Sequence, residues 1–192
     1  MNKPLVSILM TAYNREKYIA EAIASVLSST YQNFELIIVD DCSIDKTAEI
    51  ANKFASTDDR VSVYINEKNL GDYPNRNKAA GYAKGKYIKY CDSDDKLFDW
   101  TLGYCVEMME KYPEAGMAIL KLDKNLNKEL VGSREAIQYN FFQNQILQIG
   151  PSGTMLRKIA FEKVGYYKAD YGVPSDMYFN LKMTATFPVV LL

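Results

Sequence analysis

The sequence contains no histidine. That excludes Ser-His and Cys-His nucleophile pairs, and histidine-based zinc sites, within its 192 residues. Cysteine is scarce. Cys42, Cys91 and Cys105 are odd in number and lack metal-motif spacing, so they read as reduced thiols of a cytoplasmic protein. No apolar run approaches the ~20 residues that span a bilayer. Met1-Asn2-Lys3-Pro4 leads into a strand-like run without the charged and apolar regions of a secretory signal. Net charge is only -1, so nothing marks a nucleic-acid surface and no nucleic-acid partner is expected. Repeats and low-complexity tracts are absent. A glycine-rich phosphate loop is missing near the first strand, which argues against a nucleotidyltransferase.

What is present suffices for one good-sized domain with a real core: hydrophobic content is 48% and charged content 24%. Tyrosine is abundant, at 15. Such rings stack on sugars or bases, or pack at the core margin, and packing is our reading for most of them.

The stretch KYIKYCDSDDKLFD, from Lys86 to Asp99, carries the most chemistry. An apolar strand-like run breaks off into Asp92, Asp94 and Asp95, with Ser93 between. Crowded carboxylates repel unless something neutralises them. Aspartate oxygens suit a hard divalent cation, Mg²⁺ or Mn²⁺. A helix N-terminus, where aspartate is also favoured, is the other reading of the same residues.

Leu5 to Met10 is a nearly continuous apolar run, as expected of a strand covered on both faces. Thr11-Ala12-Tyr13-Asn14 ends it. From Arg15 the period becomes helical, with Tyr18, Ile19, Ala22, Ile23, Val26 and Leu27 on one stripe. Phe34 to Val39 is a second strand, ended by Asp40-Asp41-Cys42-Ser43. A helix with Thr47, Ile50, Ala51 and Phe54 follows, then a strand at Val61 to Ile65. Pro74 to Lys84 is a helix closed by Gly85, and Lys86 to Cys91 a fourth strand. Alternating β and α segments predict an α/β fold: a mostly parallel sheet with helices on both faces. In such sheets ligands sit beyond the carboxyl ends of the strands. That rule gathers Thr11, Tyr13, Asp40, Asp41 and Asp92 to Asp95 at one rim. Asp40 and Asp41 could instead cap a helix, although Ser43 or Asp45 would serve.

Further on, Trp100 to Tyr112 is a helix, Gly116 to Leu122 a strand, and Asp123 to Ser133 a polar turn. Arg134 to Gln148 allows a helix. Thr154 to Leu156 is a strand, Arg157 to Val164 a helix, and Tyr166 to Pro174 a loop. Ser175-Asp176 opens a helix running to about Ala185. Phe187 to Leu192 is a strand with no polar tail, from which a longer form is expected.

Taken together, LVSILMTAYN, ELIIVDDCS, NLGDYPNRNKAAGYAKGKYIKYCDSDD and GYYKADYGVPSDMYFNLKM resemble the family-two inverting glycosyltransferases of the GT-A fold. The resemblance covers essentially the whole chain. It implies a single GT-A-like domain over residues 1–192, with a nucleotide-sugar half at 1–99 and an acceptor half at 100–192. It implies Thr11 and Tyr13 in the nucleotide pocket, with Tyr13 against the base. Asp41 would accept from the nucleobase edge, with Asp40 beside it. Arg76 would lie near the diphosphate. Asp92-Ser93-Asp94 stands at the family's DXD position, with Asp94 the metal ligand and Asp92 on the ribose or metal-bound water. Asp176 falls where the family places its catalytic base, in Ser175-Asp176 rather than the frequent Glu-Asp.

The implied cofactor is Mn²⁺ or Mg²⁺. The implied partners are a nucleotide-sugar donor, for which a UDP-sugar is the family-level expectation, and a glycan or lipid-linked glycan acceptor in polysaccharide biosynthesis. Peripheral association with the inner face of a membrane is an open option. The alternative reading is a non-catalytic nucleotide- or carbohydrate-binding domain, or an inactive fragment of such an enzyme.

Overall fold

A computed structural model describes residues 3–120, 128–171 and 174–192. The chain divides into two compact units, one reaching to Gly103 and the other starting at Tyr104.

The first unit alternates as its apolar runs predict. Strand β1 (Val6–Ala12) leads to helix α1 (Ile19–Leu27), β2 (Phe34–Asp40), α2 (Thr47–Ala55), β3 (Val61–Ile65), α3 (Asp72–Tyr82) and β4 (Tyr87–Tyr90). The strands lie in the order β3-β2-β1-β4 and every pair is parallel. Their register sets Ala12 opposite Asp40, and Asp40 opposite Ile65. The carboxyl ends of β1, β2 and β3 therefore finish level, and β4 stops earlier, with Tyr90 opposite Leu9. β1 and β2 are buried along almost their whole length, which is why they read as unbroken apolar runs. Helix α1 buries Ile19, Ala22, Ile23 and Val26. Tyr18, expected on that stripe, instead stands half-exposed just before the helix. There the backbone closes a turn on the Arg15 carbonyl.

At Gly85 the chain runs too close to β1 to admit a side chain: a Cβ there would lie 2.6 Å from the Ser7 nitrogen. The Gly85 N–H donates to Ser7 Oγ (2.8 Å), and Ser7 Oγ donates to Glu35 (2.6 Å). One buried hydroxyl thus ties the entry of β4 to β1 and β2.

Helix α4 (Thr101–Lys111) carries the boundary between the units. The second unit holds β5 (Met117–Ile119), β6 (Leu130–Val131), α5 (Ser133–Phe142), β7 (Thr154–Arg157), α6 (Lys158–Val164), α7 (Ser175–Thr186) and β8 (Val189–Leu191). Its strands run β7-β5-β8-β6, with β5 parallel to β8 but antiparallel to β7, and β6 antiparallel to β8. The ring cluster of Phe161, Tyr167 and Phe179 fills its core, with centroids 4.6 to 5.9 Å apart. Arg157 donates to the carbonyls of Met109, Tyr112 and Ala115, satisfying orphan acceptors at the end of α4.

The turn expected at Asp123 to Ser133 is only partly seen: residues 123–127 lie outside the described residues, and Leu130 and Val131 form a strand rather than a turn. Residues 121–122 of the expected fifth strand, and 172–173 of the expected loop at Tyr166 to Pro174, also lie outside them.

Candidate functional site

Beyond the carboxyl ends of the first unit's strands lies a cleft of about 480 Å³, a size that suits a small-molecule ligand. Thr11 and Tyr13 line it from the end of β1, Asp41 from the end of β2, and Asp92, Ser93 and Asp94 from the end of β4. Arg15, Asn69, Gly71, Asp72, Asn75 and Arg76 complete its wall.

The first two loops are built as one piece. The Asn14 N–H donates to Ser43 Oγ (2.9 Å), and the Ile44 N–H donates back to Asn14 Oδ1 (3.0 Å). The Arg15 N–H reaches Thr47 Oγ1 (2.7 Å), and the Glu16 N–H reaches Asp45 Oδ2 (3.1 Å). Asn14 (φ 53°) and Cys42 (φ 65°) both take left-handed backbone, held there by this bracing.

The two neighbouring aspartates divide the work. Asp40 is buried and spends both oxygens on Ser43, accepting from its N–H (2.9 Å) and its hydroxyl (2.5 Å). It does not line the cleft among the described residues. Asp45, not Asp40, accepts from the first turn of α2, through the Thr47 N–H (2.9 Å). Asp41 is also buried but faces the cleft. It accepts from Asn66 Nδ2 (2.7 Å) and the Leu70 N–H (2.9 Å) on one oxygen, and from the Gly71 N–H (2.9 Å) on the other. Asn66 Nδ2 also donates to Asn75 Oδ1 (2.9 Å), and Asn75 Nδ2 donates to the Val39 carbonyl (3.1 Å). Through these bonds Asp41 shapes the segment that leads into α3. Gly71, at φ 86°, makes the turn that starts the helix, a conformation only glycine takes without strain.

Helix α3 buries Asn75 and Arg76 on its inner face. Arg76 bridges two carboxylates: Nε donates to Asp72 Oδ1 (2.8 Å) and Nη1 to Asp92 Oδ1 (2.6 Å). Its side chain is only 9% exposed, while those of Asp92 and Asp72 are 29% and 57% exposed, so the bond to Asp92 is the better shielded of the two. The acidic run itself is a turn, closed by the Asp95 N–H on the Asp92 carbonyl (3.0 Å). Ser93 is buried and Asp94 is exposed at the rim. Asp94 Oδ2 sits 3.3 Å from Arg15 Nε. Cys91, just inside the turn, is buried, and burial pushes its thiol up to about 12, far from a nucleophile's range.

Among the described residues no three acidic or thiol side chains converge into a metal cage. The donor set is hard oxygen, and its two exposed-edge carboxylates, Asp92 and Asp94, fit a cation that brings most of its ligands with it. Mg²⁺-type ions bind in that way, through one or two carboxylates plus substrate phosphates.

Asp176 lies in the second unit, in the first turn of α7. It lines a pocket of about 300 Å³ with Gln148, Ile149, Gly150, Pro174 and Met177. Its Oδ1 accepts from the Met177 N–H (2.6 Å). Two buried asparagines hold the facing segment: Asn180 Nδ2 donates to the carbonyls of Leu147 (3.0 Å) and Ile149 (2.9 Å), and Asn140 Oδ1 accepts from the Leu147 N–H (2.9 Å).

The cleft thus brings together seven expected residues: Thr11, Tyr13, Asp41, Arg76, Asp92, Ser93 and Asp94. It adds residues the sequence reading did not single out. Asp72 stands four residues before Arg76 on α3, but a helix expected only from Pro74 left that pairing out of view. Arg15 had a weak signal, a cation directly after a strand end. Asn66 and Asn75 gave none, because their partners come from distant segments.

Residues 7–165 match the family model of glycosyl transferase family 2. The chain is 44% identical over 185 residues to an uncharacterized glycosyltransferase, MJ1057, of Methanocaldococcus jannaschii, covering 89% of this chain and 63% of that one. It is 26% identical over 194 residues to the GalNAc(5)-diNAcBac-PP-undecaprenol beta-1,3-glucosyltransferase of Campylobacter jejuni, covering 96% of this chain and 62% of that one. Among solved structures, S. aureus TarS 1–349 in complex with UDP-GlcNAc superposes with a TM-score of 0.82 at 22% identity, covering 97% of this chain and 55% of that one. The chain therefore spans less than two thirds of the length of each relative.

Proposed function

This chain belongs to glycosyl transferase family 2, and we propose that it binds a nucleotide-diphosphate sugar in the first unit's cleft and transfers the sugar, with inversion, to a glycan or lipid-linked glycan. The observation that carries this reading is the convergence of Tyr13, Asp41, Arg76, Asp92 and Asp94 on one cleft at the strand ends. A UDP-sugar is the proposed donor and a growing polysaccharide the proposed product. Among the described residues no helix is long and apolar enough to cross a membrane. A lipid-linked acceptor would be met by peripheral association with the membrane's inner face.

In this account Thr11 and Tyr13 flank the base and ribose. Asp41 holds the 66–71 segment against the nucleotide and accepts from the base edge with the Oδ2 lone pair that segment leaves free. Asp92, steadied by Arg76, takes the ribose or a cation-bound water. Asp94 would hold Mn²⁺ or Mg²⁺, and the ion would supply positive charge to offset the negative charge growing on the departing diphosphate. Asp176 takes the proton of the acceptor hydroxyl as that oxygen attacks the anomeric carbon from the face opposite the leaving group.

Donor turnover separates the roles. With UDP-GlcNAc and other nucleotide sugars as probes, Asp176→Asn should lower UDP release by about 10²-fold or more while leaving UDP binding intact. Asp94→Asn should lower both. A wild-type protein that binds UDP but turns over no nucleotide sugar would instead mark a non-catalytic binding module.

A further inference from the structure

Four carboxylates and two guanidiniums line the cleft, and the two guanidiniums are used differently. Arg76 is buried and locked between Asp72 and Asp92. Arg15 is 42% exposed at its side chain, and the Asp94 it pairs with is 46% exposed. The backbone of Arg15 is fixed through Thr47, and its Nη1 donates to the carbonyls of Tyr13 (3.1 Å) and Asn14 (3.3 Å). The guanidinium is thereby aimed across the rim with its Nε on Asp94, and its Nη2 has no protein partner among the described residues.

We propose that Arg15 is a partner-switching residue of the cleft. It neutralises Asp94 before the cation arrives, then gives up that carboxylate and turns its fork to the diphosphate. The proposal rests on the function proposed above. Three physical points support it. An exposed ion pair is weak, so a divalent ion displaces it readily. A guanidinium suits diphosphate oxygens better than a lone carboxylate oxygen, because it can donate twice in parallel. And the two carbonyl contacts anchor Nη1 on the rim, so that a small rotation, rather than a loop movement, exchanges the partners.

The exchange predicts effects of opposite sign. UDP binding is measured by calorimetry and by a trace-UDP competition format, across a Mn²⁺ series, on wild type, Arg15→Ala and Arg15→Lys. In Arg15→Ala the Mn²⁺ midpoint at trace UDP should fall by about two- to fivefold, because Asp94 has lost its competitor. At saturating Mn²⁺ the same variant should bind UDP about five- to tenfold more weakly, having lost a charge-assisted donor. Arg15→Lys keeps the charge, so its Mn²⁺ midpoint should return toward wild type while its UDP affinity stays reduced.

Loss of structure would weaken both equilibria together. Shifts of the same sign, no shift in either, or a lysine variant whose Mn²⁺ midpoint matches that of Arg15→Ala would each overturn the switch. A wild-type protein whose UDP binding ignores Mn²⁺ would overturn the proposed function, and this inference with it.

Discussion

Side chains of one type do different work here, and their partners decide which. Asp40, Asp41, Asp92 and Asp94 all stand at or just past strand ends, yet Asp40 stitches its own loop, Asp41 positions another segment, Asp92 is paired with a buried arginine, and Asp94 stands at the rim. The sequence places all four at one edge of the sheet, because strand ends can be read from where apolar runs stop. It cannot rank them, because Ser43, Gly71, Arg76 and Arg15 become their partners only once the chain has folded.

Asp41 offers a direct check. Replacing it with alanine removes the acceptor of the Leu70 N–H, and one of two acceptors each of the Gly71 N–H and of Asn66 Nδ2. The Leu70 N–H is left without its acceptor and two further donors lose one of two, so Asp41→Ala should lose about 1–3 kcal/mol in chemical denaturation. Its UDP affinity should fall as well, since the 66–71 segment no longer holds its shape. A variant of unchanged stability would show that this network is not the clamp described.

Among the elements, β1 and β2 were plain in the sequence because burial on both faces leaves no polar interruption. Helix α3 begins at Asp72, before the expected Pro74, since proline is tolerated in a first turn and Gly71 supplies the turn that opens it. The two-residue strand β6 left no periodic trace. Its identity comes wholly from pairing with β8, Leu130 opposite Val190. At the entry to β3 the chain is clipped by Asp58 and Arg60, whose guanidinium and backbone N–H both donate to the carboxylate.

Chiefly through the Arg60 side-chain bonds, the Asp58 carboxyl is held at about 2, below its ordinary 3.8. A depressed carboxyl contributes stability that is complete above its unfolded value and lost as pH falls through the folded one. Wild type should therefore exceed Asp58→Asn in unfolding free energy at about pH 5, and the gap should close between about pH 4 and pH 2. A gap that stays constant across that window would mean the clip acts through shape rather than charge.

At the scale of the whole molecule, the first unit carries the aspartate- and arginine-lined cleft at the ends of its parallel strands, and the second carries Asp176 in a pocket braced by Asn140 and Asn180. The α/β alternation was legible throughout the first unit. In the second unit the short strands β5 and β8 showed as apolar runs, but their mixture of parallel and antiparallel pairing did not, because three residues encode burial and not direction. The resemblance to family-two glycosyltransferases is tightest in the strand-end motifs of the first unit and looser in GYYKADYGVPSDMYFNLKM of the second.

The central claim is that this cleft takes a nucleoside diphosphate through a divalent cation held at Asp94. Calorimetric titration of UDP into wild type and Asp94→Asn, each with Mn²⁺ and with EDTA, tests it most directly. The account predicts binding by wild type with Mn²⁺, and a loss of about tenfold or more, at unchanged melting temperature, when either the cation or the Asp94 carboxylate is removed. Equal UDP affinity in all four titrations would contradict it.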